Sequence, residues 1–144
     1  HPEGMYLIGN LIYDMTKDSG AKAIGGLTLG ADPVAYAVSY TSYLKGKPVE
    51  TFVVRKSAKS HGTMQWIEGN VREGDRVVIV DDVITTGKST IEAITRAKEA
   101  RLEIVKVIAL IDRQEGGREN IEASGYKVES LILRDEVMAL YRKA

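Results

Sequence analysis

The sequence predicts a doubly wound α/β fold, a mostly parallel sheet flanked by helices. Short runs rich in β-branched residues, "VETFVVR", "RVVIV" and "IVKVIALI", read as buried strands. Segments of helical periodicity fall between them, and that alternation implies parallel pairing. Polar, glycine-containing clusters follow directly after the strands, where ligands of such sheets bind.

Taken in order, "GMYLIGNLIYDMTKDSG" places Met5, Ile8, Leu11, Ile12 and Met15 at helical spacing and closes on Gly20. "AKAIGGL" is a short strand running into the loop "TLGADP", and Ala31 to Leu44 reads as a second helix ended by "KGKP". After "VETFVVR" the stretch "KSAKSHGTMQWIEGNVREGD" is polar, with three glycines and little periodicity. "RVVIV" leads into a helix through Ile91, Ile94, Ala97 and Leu102. "IVKVIALI" is a buried strand, "DRQEGGRENIEASG" a connection and "YKVESLIL" the last strand. Met138 and Leu140 suggest a short terminal helix or an extended segment.

Residues 1–144 are expected to form one domain, long enough to bury a real core. Apolar residues make up 44% and charged residues 28%, ordinary values for a soluble globular chain. Lys plus Arg and Asp plus Glu both total 20, so net charge points to no nucleic-acid or membrane partner. Attraction of an anionic ligand must therefore come from local charge. The chain has no cysteine, which excludes disulfides and thiolate metal sites and suits the cytoplasm. No apolar run approaches the roughly 20 residues that span a bilayer, and no signal-peptide pattern is visible.

The chemistry concentrates in "VVIVDDVITTGKST". Asp81 and Asp82 end a fully apolar strand, where alternation sends one carboxylate to each side of the sheet. At least one of them suits ribose hydroxyls or a hydrated Mg²⁺. Thr85, Thr86, Gly87, Lys88 and Ser89 offer hydroxyls and backbone N–H groups at a helix N-terminus, a ready anion site. The plainer alternative is an acidic turn followed by an ordinary helix cap. "GKST" also invites a nucleoside-triphosphatase reading, but the glycine needed five positions before Gly87 is Asp82, so that reading fails. Four clusters, "GGLTLGAD", "RKSAKSHG", "DDVITTGKST" and "DRQEGG", follow strands and are expected to crowd around one crevice.

"VVIVDDVITTGKST" resembles the phosphoribosyl-diphosphate (PRPP) motif of type I phosphoribosyltransferases. "FVVRKSAKSHGTMQWIEG" and "ALIDRQEGG" narrow the resemblance to the orotate phosphoribosyltransferases, over most of the chain. It implies transfer of the phosphoribosyl group of PRPP to orotate, giving orotidine 5′-monophosphate and pyrophosphate in pyrimidine synthesis.

By the resemblance, Asp81 and Asp82 reach the ribose hydroxyls and the surroundings of Mg²⁺, which PRPP and water hold without a direct protein ligand. The run Asp81, Asp82, Val83, Ile84, Thr85, Thr86, Gly87, Lys88 and Ser89 binds PRPP, with the 5′-phosphate cradled from Thr85 to Ser89 and Thr85 also near orotate. Thr28, Leu29 and Gly30 form the pyrophosphate loop. Some family members carry a lysine there, so backbone N–H groups are expected to act alone. Arg113 pairs with the orotate carboxylate, as a guanidinium fork suits a planar anion. Arg55, Lys56, Lys59 and His61 neutralise the departing pyrophosphate from a mobile loop, and Lys59, His61 and Asp82 are the candidate catalytic residues. The resemblance also implies a homodimer in which that loop serves the neighbouring subunit's site.

Such chemistry needs cations rather than a nucleophile: charge builds on the sugar and on the leaving group, and Mg²⁺ with preorganised cations stabilises the latter. The family has a further N-terminal segment, a hood over the base, to which nothing here corresponds, so a shortened chain or an open base pocket is expected. Two alternatives stand beside the enzyme: a PRPP-binding regulator without catalysis, and a transferase for purine bases.

Overall fold

The computed structural model describes residues 1–58 and 66–142. Its sheet has six strands: β1 (Ala23–Leu27), β2 (Glu50–Val54), β3 (Ile67–Gly69), β4 (Arg76–Ile84), β5 (Glu103–Asp112) and β6 (Val128–Leu133). They lie in the order β3-β2-β1-β4-β5-β6. Only β3, on the edge, is antiparallel to its neighbour; every other pair is parallel.

Five helices connect them among the described residues: α1 (Pro2–Thr16), α2 (Ala31–Leu44), α3 (Lys88–Glu99), α4 (Gly117–Ala123) and α5 (Arg134–Tyr141). The strands divide their side chains between two apolar layers. On one face Ile24, Val78, Val80 and Ile108 pack with Ile12 of α1 and Val34 and Val38 of α2. On the other, Phe52, Val77, Ile79 and Val107 pack with Ala93, Ile94 and Ala97 of α3 and Ile121 of α4. The doubly wound fold expected from the sequence is therefore the one observed.

Two features inside stretches read as irregular were not expected. β3 is only three residues long, too short for periodicity to reveal, and it forms by pairing Ile67 with Val54 and Gly69 with Phe52. α4 is a seven-residue helix that buries Ile121. The helix expected through Leu102 stops at Glu99. Arg101 turns left-handed (φ 56°). Its N–H donates to the Lys98 carbonyl at 2.9 Å and that of Leu102 to the Ala97 carbonyl at 2.9 Å, closing the helix while Leu102 still reaches the core. Met138 and Leu140 lie on the terminal helix, not on an extended segment.

The strand order decides where a ligand can bind. From β1 the chain steps outward to β2, whereas β4, β5 and β6 build away on the other side. The reversal falls between β1 and β4, and the crevice beyond the strand ends at such a point is the usual ligand site of an open α/β sheet.

Candidate functional site at the sheet reversal

β4 outruns its neighbour at that reversal. β1 pairs only with Val77 to Ile79, while pairing with β5 carries β4 on to Ile84. Asp81 and Asp82 therefore sit within a strand rather than at its end, because β5 supplies the partners that β1 no longer does. Alternation then separates them. Asp81 continues the row of Val77 and Ile79 toward α3, and Asp82 continues that of Val78 and Val80 toward α2.

Asp81 is buried. Its Oδ2 accepts a hydrogen bond from Thr90 Oγ1 at 2.6 Å, and its Oδ1 accepts the Asp82 N–H at 3.0 Å. Burial pushes its carboxyl up to about 6; the Thr90 hydroxyl opposes the rise and the neighbouring Asp82 adds to it. Asp82 is half-buried, its Oδ1 accepting the Val83 N–H at 2.9 Å. It lies against the β1–α2 loop so closely that a Cβ on Gly30 would stand 2.4 Å from its Oδ1.

The turn after β4 forms a small anion-sized hollow lined by Asp81 and by Val83 through Ser89. Gly87 caps α3 in the left-handed conformation (φ 79°) and no side chain caps the helix. Lys88 and Ser89, the first residues of α3, line the hollow, and among the described residues no side chain caps their N–H groups, which suits an anion there. A Cβ on Gly87 would meet the Gly117 carbonyl at 2.7 Å, so α4 packs directly behind the turn. Asn120 Nδ2 donates to the Thr86 carbonyl at 3.0 Å, fixing the turn from the same side. Ile84, expected among the PRPP-binding residues, turns its side chain into the core, while Val83 is exposed.

A second hollow, about 480 Å³, joins the β1–α2 loop to the end of β2. Thr28 and Asp32 line one side and Arg55, Lys56 and Ser57 the other, so two of the four loops singled out in the sequence share a groove. The Arg55 guanidinium pairs here with Glu68 of β3, and its Nε donates to the Ser57 carbonyl at 3.1 Å. The pyrophosphate loop needs one correction. The Thr28 N–H donates to the Val54 carbonyl at 2.9 Å and so cannot serve a ligand, because it prolongs the β1–β2 ladder. Thr28 Oγ1 in turn donates to Asp32 Oδ2 at 2.6 Å. The Thr28–Leu29 peptide is cis.

Arg113 follows β5, and its N–H donates to the Ile84 carbonyl at 3.0 Å, which roots it beside the acidic strand. Its exposed guanidinium pairs with Glu115 at 2.8 Å. The described parts of the four loops follow the adjacent strands β2, β1, β4 and β5 along one edge of the sheet, but they line separate hollows rather than the single crevice expected. Lys59 and His61 lie outside the described residues. Thr90, Asn120, Asp32 and Glu68, each holding a site residue, were not singled out in the sequence. Their contacts are made across the fold and carry no signal in spacing along the chain.

Among the described residues no three His, Cys, Asp or Glu side chains converge as a metal site, and no helix is long and apolar enough to cross a membrane. The oxygens available to a hard cation at the reversal are those of Asp81 and Asp82, of which Asp82 is the more accessible.

The phosphoribosyl transferase domain model matches residues 7–138. Orotate phosphoribosyltransferase of Aquifex aeolicus is 47% identical over 137 residues, covering 95% of this chain and 75% of that protein. The crystal structure of Mycobacterium tuberculosis H37Rv orotate phosphoribosyltransferase in complex with Fe(III) dicitrate superposes with a TM-score of 0.87 at 41% identity, covering 94% of this chain and 75% of that one. The same enzyme in complex with PRPP gives 0.83 at 39% identity, covering 94% and 76%. By these likenesses in sequence and fold the chain belongs to the orotate phosphoribosyltransferases.

Proposed function

We propose that this chain, acting as one catalytic domain, transfers the phosphoribosyl group of PRPP to orotate, yielding orotidine 5′-monophosphate and pyrophosphate. The observation that carries the reading is the pairing of two carboxylates on an overhanging strand with an uncapped, glycine-led helix N-terminus. One end suits a diol and the other a phosphate, as a phosphoribosyl group requires.

In this reading the N–H groups from Thr86 to Ser89 hold the 5′-phosphate and Asp82, with Asp81 behind it, holds the ribose hydroxyls. The bond from ribose C1 to the diphosphate oxygen breaks as one to a ring nitrogen of orotate forms, and the proton that nitrogen carried leaves with the diphosphate. Arg55 and Lys56 stand at the groove where the diphosphate would leave, with Lys59 and His61 further along the same connection. The N–H groups of Leu29 and Gly30 contribute there, since that of Thr28 is engaged. Arg113 exchanges Glu115 for the orotate carboxylate. Mg²⁺ fits the oxygen-rich side of Asp82, and when bound it would neutralise charge on the diphosphate. Following orotate absorbance with PRPP and Mg²⁺ tests the reading; turnover with adenine or hypoxanthine in place of orotate would reject it.

The active form proposed is a homodimer in the cytoplasm. What supports the dimer is an apolar groove of about 640 Å³ between α1 and α2. Its rim carries exposed Tyr6, Tyr36, Tyr40 and Leu44, and Tyr36 also lines the groove of Arg55 and Lys56. A second copy seated there would border the site. Light scattering should give twice the chain mass, and Tyr40→Glu should halve it; a monomeric parent would reject the assembly.

A further inference from the structure

We infer that the stacking of Trp66 on Arg96 is a positioning contact that sets the cationic end of β2 at a fixed distance from the phosphate cradle. The inference rests on the phosphoribosyl reading above and names residues that reading does not use. The Arg96 guanidinium carbon lies over the Trp66 ring, 3.6 Å from its centroid. Its Nη1 is held by Glu99 at 2.8 Å, and its buried Nε has no hydrogen-bond partner among the described residues. A buried donor left without an acceptor is costly, and the guanidinium that carries it lies over the indole ring.

Both partners of the stack belong to site elements. Arg96 lies about two turns along α3 from the cradle at its N-terminus. Trp66 opens the edge ribbon that closes on β2: its carbonyl accepts the Arg55 N–H at 2.8 Å, and Glu68, two residues on, pairs with the Arg55 guanidinium. β3 itself has three residues and, among the described residues, pairs on one side only, which is weak anchorage for a strand. The Trp66–Arg96 stack supplies the missing tie, running from α3 across the ribbon to Arg55 and Lys56. A ligand that touches only the cradle has no need of that distance. One that reaches from cradle to diphosphate groove does.

Trp66 is the only tryptophan in the chain, so its fluorescence reports the stack directly. Ribose 5-phosphate and PRPP with Mg²⁺ are titrated into the full chain, into Arg96→Met and into Arg96→Lys, the latter keeping the charge without the planar fork. For Arg96→Met the expected result is a red-shifted emission, PRPP affinity lowered about ten-fold, and ribose 5-phosphate affinity unchanged. Arg96→Lys should fall between, and it decides the matter alone if Arg96→Met fails to fold. An unmoved emission would overturn the inference. So would equal losses for both ligands, which would mark a general structural role, or no loss for either. Failure of the parent chain to bind PRPP at all would instead overturn the phosphoribosyl reading.

Discussion

Replacing Asp81 by asparagine should make the unliganded protein more stable at neutral pH while removing its function. Burial raises the carboxyl from 3.8 to about 6. Below about pH 4 it is protonated in both the folded and the unfolded chain and costs nothing. Between about pH 4 and 6 the unfolded chain loses its proton first, so folding stability falls as pH rises. Above the folded value the full cost is present, about 3 kcal/mol at about 1.4 kcal/mol per pH unit. The asparagine side chain would keep the geometry, accepting the Asp82 N–H through its carbonyl and donating to Thr90 Oγ1. Its own burial takes back part of the gain, leaving about 2 kcal/mol, or roughly 4–8 °C in Tm. Urea unfolding of parent and D81N without ligand, at pH 8 and at pH 4, measures this. The advantage should be present at pH 8 and absent at pH 4. A D81N protein no more stable than the parent at pH 8, or an advantage independent of pH, would refute the assignment of Asp81 as a buried, burial-strained carboxylate.

Gly30→Ala would drive a methyl to within 2.4 Å of Asp82 Oδ1 and should lower kcat/KM for PRPP about ten- to a hundred-fold, measured by steady-state kinetics, with little change in Tm. Gly87→Ala forces a side chain onto a φ of 79° and against the Gly117 carbonyl. It should cost about 1–3 kcal/mol in urea unfolding and abolish the thermal shift given by ribose 5-phosphate. Arg113→Gln removes a charge-assisted fork and should raise KM for orotate about thirty-fold while leaving KM for PRPP nearly unchanged.

The fold was legible because its strands are apolar on both faces and the helices between them hold their period. Val77 to Val80 and Val107 to Ala109 announce buried central strands, and Ile91, Ile94 and Ala97 a packed helix. What escaped was short or made by tertiary pairing. Ile67 to Gly69 becomes a strand only because Val54 and Phe52 lie alongside. The acids belong to β4 only because Ala109 and Ile111 pair beside them. At the site, the order of strand, acids and glycine-led turn was visible in the residues, as was the separation of Asp81 and Asp82 by alternation. The partners that hold them were not, because Thr90, Asn120 and Glu68 act through contacts that spacing does not encode. The engagement of the Thr28 N–H with Val54 likewise follows from sheet register alone.

A crystal soaked with PRPP and Mg²⁺ decides whether β4 and the turn after it hold a phosphoribosyl group. The 5′-phosphate oxygens should lie within hydrogen-bond distance of the N–H groups from Thr86 to Ser89, and the ribose hydroxyls on Asp82. Density for the ligand elsewhere, or a phosphate lying away from the α3 N-terminus with Asp82 untouched, would contradict it.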